Sequence, residues 1–93
     1  MSFPKVFTKD PADILDYMGS WASQMAADTD TIASSTWVLD TGLTEVSSSF
    51  TNTQTSIFVS GGDDGSEYDV TNRITTAGGR TYERSFTIRV RNL

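Results

Sequence analysis

The sequence predicts an all-β sandwich of about six or seven short strands, and three observations carry that prediction. Segments rich in Val, Ile, Thr, Phe and Trp alternate apolar with polar residues, the period-two pattern of a strand with one dry face. Clusters of Gly, Asp, Ser and Asn separate these segments at short intervals, as in folds built from successive hairpins. With 93 residues and no cysteine, the chain suits one domain resting on its hydrophobic core or on partner subunits, without disulfide staples.

Residues 1–12 carry Pro4 and Pro11, which favour extended backbone before each and remove ladder donors. They are expected to form an N-terminal arm, with residues 13–93 as the sandwich. Phe3 and Phe7 lie in that arm, where a small sandwich offers them no evident room, so they are expected to meet a partner surface. The next stretch, ILDYMGSW, sets Leu15, Tyr17 and Trp21 on one parity and fits a strand interrupted by Gly19. A helix across 13–27 competes, because Ile14, Tyr17, Met18, Trp21 and Met25 also recur at helical spacing; Gly19 and Ser20 weaken it.

TIASSTWVLD places Ile32 on one parity and Ala33, Ser35, Trp37 and Leu39 on the other, with Trp37 expected as the central core aromatic. LTEVSSSF and TQTSIFVS follow as two further strands of a meander, and SGGDDGSEY is a loop. EYDVTNRITT then alternates, with Tyr68, Val70, Asn72 and Ile74 inward and Asp69, Thr71, Arg73 and Thr75 outward. Asn72 is the polar exception in the inward set. An Ala77-Gly78-Gly79 turn leads into SFTIRV, with Phe86, Ile88 and Val90 inward and Thr87, Arg89 and Arg91 outward. Trp21, Trp37, Phe50, Phe58, Tyr68 and Phe86 fall about one to a strand, which is how a core is built. Tyr68 stands two residues before inward Val70 at the start of the penultimate strand, the spacing of a tyrosine corner. That spacing narrows the sandwich to an immunoglobulin-like layout without its disulfide.

Composition excludes several function classes. The chain has no histidine, so the commonest general base near neutral pH and the usual zinc ligand are both missing; without cysteine there is no thiol nucleophile either. No enzyme is expected, no catalytic residues are assigned, and no cofactor is called for. GGDDG and AGGR have neither the P-loop pattern nor GxGxxG after a strand, so turns explain both. Three acidic groups, Asp10 with Asp13 and Asp16, Asp28 with Asp30, and Asp63 with Asp64, Glu67 and Asp69, lack EF-hand spacing and read as soluble turns, with no metal site assigned.

No apolar run approaches the roughly 18–20 residues of a membrane helix, and MSFPKVFTKDP lacks the apolar core of a secretory signal. No membrane partner is expected. A net charge of −5 argues against nucleic acid as a partner. The charge is polarised: residues 1–72 hold eleven acids and two bases, residues 73–93 five arginines and one glutamate. Arg73, Arg89 and Arg91 are therefore the candidates for a basic face toward an acidic partner, the alternative being that they pair with acids in their own sheet.

FTKDPADILDY, TIASSTW, the VSGG loop and above all YDVTNRITTAGGRTYERSFTIRVRN resemble a group of small structural proteins of tailed bacteriophages, the fibre-tail adaptor proteins. The resemblance covers nearly the whole chain. It implies an immunoglobulin-like sandwich present in several copies in the virion tail and assembled in the host cytoplasm. There it would join tail fibres to the tail or head–tail connector, with tail fibre, head–tail adaptor or nozzle proteins as partners. The family offers no catalytic motif to carry over. A capsid decoration (cement) protein and a carbohydrate-binding module are the alternative functions; location in the particle separates the first, glycan binding the second.

Overall fold

The computed structural model describes residues 6–92, which form seven strands and one short helix. In chain order these are β1 (Val6–Lys9), β2 (Leu15–Ser20), α1 (Ala22–Asp28), β3 (Ile32–Leu39), β4 (Leu43–Phe50), β5 (Gln54–Gly61), β6 (Glu67–Thr76) and β7 (Thr81–Val90). A four-stranded sheet of order β1-β7-β6-β3 packs on a three-stranded sheet of order β2-β5-β4. All neighbours are antiparallel except β1, which runs parallel to β7 with Phe7 opposite Ile88. This is the predicted sandwich.

The expected arm meets the structure from Val6 onward, and there it is part of the sandwich. Val6–Lys9 is an edge strand, Phe7 packs against the core, and Lys9 is fully buried. The Lys9 ammonium donates to the carbonyls of Asp10 (2.9 Å) and Gly61 (2.7 Å), the second of which belongs to the opposite sheet. Burial lowers the Lys9 pKa, opposed by the nearby carboxylates of Asp13 and Asp10. Pro11 sits in a turn rather than in extended chain: the Asp13 N–H donates to the Asp10 carbonyl, and the Asp10 carboxylate accepts from the Ala12 N–H at 2.8 Å.

Residues 13–27 divide between the two competing readings. Leu15–Ser20 is the predicted strand, and Trp21 opens the seven-residue helix whose buried residue is Met25. The switch is fixed by the β4–β5 turn, since the Trp21 N–H donates to the Thr53 carbonyl and the Ile32 N–H to the Asn52 carbonyl, bracketing α1. Thr29 ends the helix in the left-handed region at φ 51°, with the N–H of Thr29 on Ala26 O and that of Asp30 on Met25 O, a Schellman-type closure.

Inward residues form two clusters. One gathers Tyr17, Ile57, Val59, Tyr68, Val70, Ile88 and Val90, with Phe7, Trp37 and Phe86 partly buried against it; the other gathers Trp21, Met25, Ile32 and Ile74. Trp21, not Trp37, is the fully buried tryptophan. Trp37 lies on β3, an edge strand, where a bulky ring has cover on one side only. The mixed parity of that strand has a cause as well: a bulge between Ile32 and Ser34 lets Ile32 and then Ser35, Trp37 and Leu39 all face inward.

Asn72, the polar exception, joins the clusters. Its Oδ1 accepts from Trp21 Nε1 (3.1 Å) and Thr55 Oγ1 (2.7 Å), and its Nδ2 donates to Ser35 Oγ and the Thr36 carbonyl, both at 3.0 Å. One amide thus ties both sheets to the start of the helix, and all four of its hydrogen-bonding positions are used.

The tyrosine corner forms. The Tyr68 hydroxyl accepts from the Asp63 N–H at 2.9 Å, in the loop before its strand. The ring lies against Gly42, at φ +117°, where a Cβ would stand 2.6 Å from Tyr68 Cε1. Only glycine meets both demands there.

Candidate partner-binding site

Arg73 and Arg89 stand on the outer face of the β6–β7 ladder, and their neighbours across it decide their character. Register sets Glu67 opposite Arg89, Asp69 opposite Thr87, Thr71 opposite Ser85 and Arg73 opposite Glu83. Each pair is bonded. Arg89 Nε lies 2.9 Å from Glu67 Oε2, Thr87 Oγ1 donates to Asp69 Oδ1 at 3.0 Å, the Thr71 and Ser85 hydroxyls are 2.8 Å apart, and Arg73 Nε donates to Glu83 Oε2 at 2.6 Å. Directly opposed charges of this kind are worth a few tenths to about 1 kcal/mol per pair. The face is therefore a polar ladder in which Arg73 and Arg89 pair with acids of their own sheet, the alternative that the sequence offered to a basic face. Arg91 is exposed past the end of β7, its Nη1 donating to the Val90 carbonyl at 3.2 Å.

Phe7 is half-buried rather than projecting from an arm. Its ring contacts Tyr17 (5.1 Å between centroids) and Phe86 (5.3 Å), and Trp37 meets Phe86 edge-on at 6.3 Å. Phe3 lies outside the described residues.

Two aromatics expected in the core are on the surface instead. Phe58 projects from the outer face of β5 because Thr55, Ile57 and Val59 take the inward parity, and Phe50 lies on β4, an edge strand exposed along almost its whole length. Met18 faces out on β2 beside Phe58, since Met18 opposes Ser56 and Asp16 opposes Phe58. Met18 is 64% exposed and Phe58 44%. Parity within TQTSIFVS already separated Phe58 from Ile57 and Val59.

The acids are bound locally. Asp30 accepts from the N–H groups of Thr31 (2.9 Å) and Gly78 (3.0 Å) and pairs with Arg80 at 2.9 Å. Together with the Thr76 hydroxyl, the largest influence, these donors hold its pKa at about 2. Asp28 accepts from the Tyr82 hydroxyl at 2.6 Å and from Gln24 Nε2 at 3.1 Å, which lowers its pKa and raises that of Tyr82. Asp64 accepts from the Asn92 N–H, and Asp40 from the Asp69 N–H. Among the described residues no group of three or more acids is arranged to hold a metal ion. These carboxylates close turns and latch the β6–β7 hairpin onto the helix.

Arg84 is a residue that the sequence reading passed over, although it shares the parity of Phe86 and Ile88. Its guanidinium lies over the Trp21 ring, 4.0 Å from the centroid, and its Nη1 donates to the Ser20 carbonyl at 2.9 Å. Burial lowers its pKa.

Strand order, corner and hairpin together describe a small immunoglobulin-like sandwich with polar and apolar outer faces. No curated protein sequence matches the chain. A family model described as podophage GP4 fiber-tail adaptor protein gp77 matches residues 9–89, which spans every strand from the end of β1 into β7, and the chain accordingly belongs to this family of bacteriophage tail adaptor proteins.

Proposed function

We propose that this protein links tail fibres to the tail or head–tail connector, assembling in the host cytoplasm in several copies per particle. The observation that carries the reading is the family match over residues 9–89. The surface supports it with two chemically different faces, as a linker between two partners requires. The outer face of the three-stranded sheet carries Met18 and Phe58, apolar groups whose removal from water favours association. On the other sheet, a partner carboxylate has to compete with Glu83 and Glu67 for Arg73 and Arg89, so these two with Arg91 act as rim contacts that set orientation and on-rate. Of the arm aromatics, Phe7 is partly buried against the core, and Phe3 is proposed to meet a partner.

Quantitative mass spectrometry of purified tails and of DNA-filled heads tests this. The protein is expected in tails at several copies per particle and not in heads. Recovery with the heads would overturn the adaptor reading in favour of a capsid decoration protein.

A further inference from the structure

Between the two core clusters the sandwich is not filled. A cavity of about 320 Å³ opens there, walled by the rings of Phe7, Tyr17, Trp21, Trp37 and Phe86, with Arg84 beside Trp21. Its volume lies at the small end of ligand pockets, about 300–1,000 Å³, which suits one ring-sized group rather than an oligosaccharide.

The chemistry of the walls narrows the occupant. Asn72 also lines the cavity but is saturated by its four hydrogen bonds and has none left to offer. The Tyr17 hydroxyl and the Trp37 indole N–H have no hydrogen-bond partner among the described residues, but both atoms are fully buried and out of reach of an occupant of the cavity. Such orphans are uncommon and destabilising in a native interior. The guanidinium of Arg84 adds a cation beside the rings. A sugar would bring many hydroxyls into a site whose walls are mostly ring carbon. An aromatic ring loses little on entry and gains ring–ring contact, and an acceptor group beside it would lie near the positive charge of Arg84.

We propose that this cavity receives an aromatic side chain of a partner tail protein, with an adjacent carboxylate or backbone carbonyl directed to Arg84. The inference rests on the adaptor reading for the source of that side chain, and it adds an anchor of the kind that dominates interface energetics, a ring seated in a preformed pocket.

The chain's two tryptophans both line the cavity, so the two indole N–H signals in a ¹⁵N-correlation spectrum of the full chain report on it directly. N-acetyl-phenylalanine is expected to shift them saturably, while N-acetyl-alanine and methyl glucoside at equal concentration leave them in place. Arg84→Gln should weaken the N-acetyl-phenylalanine response about fivefold, the upper range for a partly exposed ion pair. The uncharged N-acetyl-phenylalaninamide serves as the control that the cavity is intact, and its response should change less. No saturable shift with either ring probe would overturn the proposal. So would an equal response to methyl glucoside, or binding that appears only after residues 1–5 are removed. Because these titrations use the isolated protein, they are independent of tail composition: loss of ring binding with the protein present in tails removes the pocket alone, and ring binding with the protein absent from tails removes the adaptor reading alone.

Discussion

Replacing Asn72 by alanine should destabilise the domain severely, although the change removes only a small polar side chain. The amide satisfies Trp21 Nε1, Thr55 Oγ1, Ser35 Oγ and the Thr36 carbonyl within the interior. Alanine leaves the indole N–H and the hydroxyl of fully buried Thr55 without that partner, and each buried orphan costs roughly 1–3 kcal/mol, while the part-buried Ser35 hydroxyl and Thr36 carbonyl on the edge strand lose less. The losses share one site and do not add fully, so about 3–5 kcal/mol is the reasonable total. A domain of this length has about 5–14 kcal/mol to lose at 0.05–0.15 kcal/mol per residue. At about 4–8 °C per kcal/mol for small domains, the midpoint should fall by roughly 12 °C or more. Thermal and urea melts followed by tryptophan fluorescence would measure it, with Trp21 reporting locally. Thr55→Val should cost much less, about 1 kcal/mol, and should add little to Asn72→Ala. A fall of only one or two degrees for Asn72→Ala, or full additivity with Thr55→Val, would refute the account of Asn72 as the shared hub.

Tyr68→Phe removes the acceptor of the Asp63 N–H and should cost about 1 kcal/mol in urea denaturation, whereas Gly42→Ala should cost more, because its Cβ meets the same ring at a backbone angle that alanine resists. Asp30 has a folded pKa of about 2, below its ordinary 3.8, so its stabilising contribution is fully present above about pH 4 and is lost as pH falls toward 2; Asp30→Asn should lower stability at pH 7 and flatten the melting temperature between pH 4 and 2. Thr29→Gly should raise the melting temperature slightly, since relieving a β-branched residue in the left-handed region recovers roughly 1 kcal/mol or more, partly offset by glycine's greater freedom in the unfolded chain.

Six of the seven strands were legible because each alternates strongly within itself. Tyr68, Val70, Ile74, Ile88 and Val90 all took the inward parity assigned to them, and the corner followed from the two-residue step between Tyr68 and Val70. β1 was not legible. VFTK is too short to show a period, and its burial depends on a parallel partner at the far end of the chain. The helical spacing of Trp21 and Met25 was visible, but not where strand gives way to helix: that point is set by the Thr53 carbonyl in a distant turn, which no local pattern encodes. For the candidate contact residues, parity gave the face on which Arg73 and Arg89 lie but not what sits opposite them. That required the β6–β7 register, which the Ala77-Gly78-Gly79 turn and the Thr76–Arg80 bonds fix together. Asn72 looked like an irregularity because its partners come from three other segments.

The parallel pairing of β1 with β7 also orders events during synthesis. Val6–Lys9 is made about 80 residues before its partner Thr87–Val90. At about 5–20 residues per second the interval lasts several seconds, far longer than the microseconds in which a hairpin such as β4–β5 closes. Throughout that interval Phe7 has no Phe86 to pack against and Lys9 no sheet edge to lie on. The four-stranded sheet therefore closes only once β7 has been made, and until then β1 has no strand to lie on.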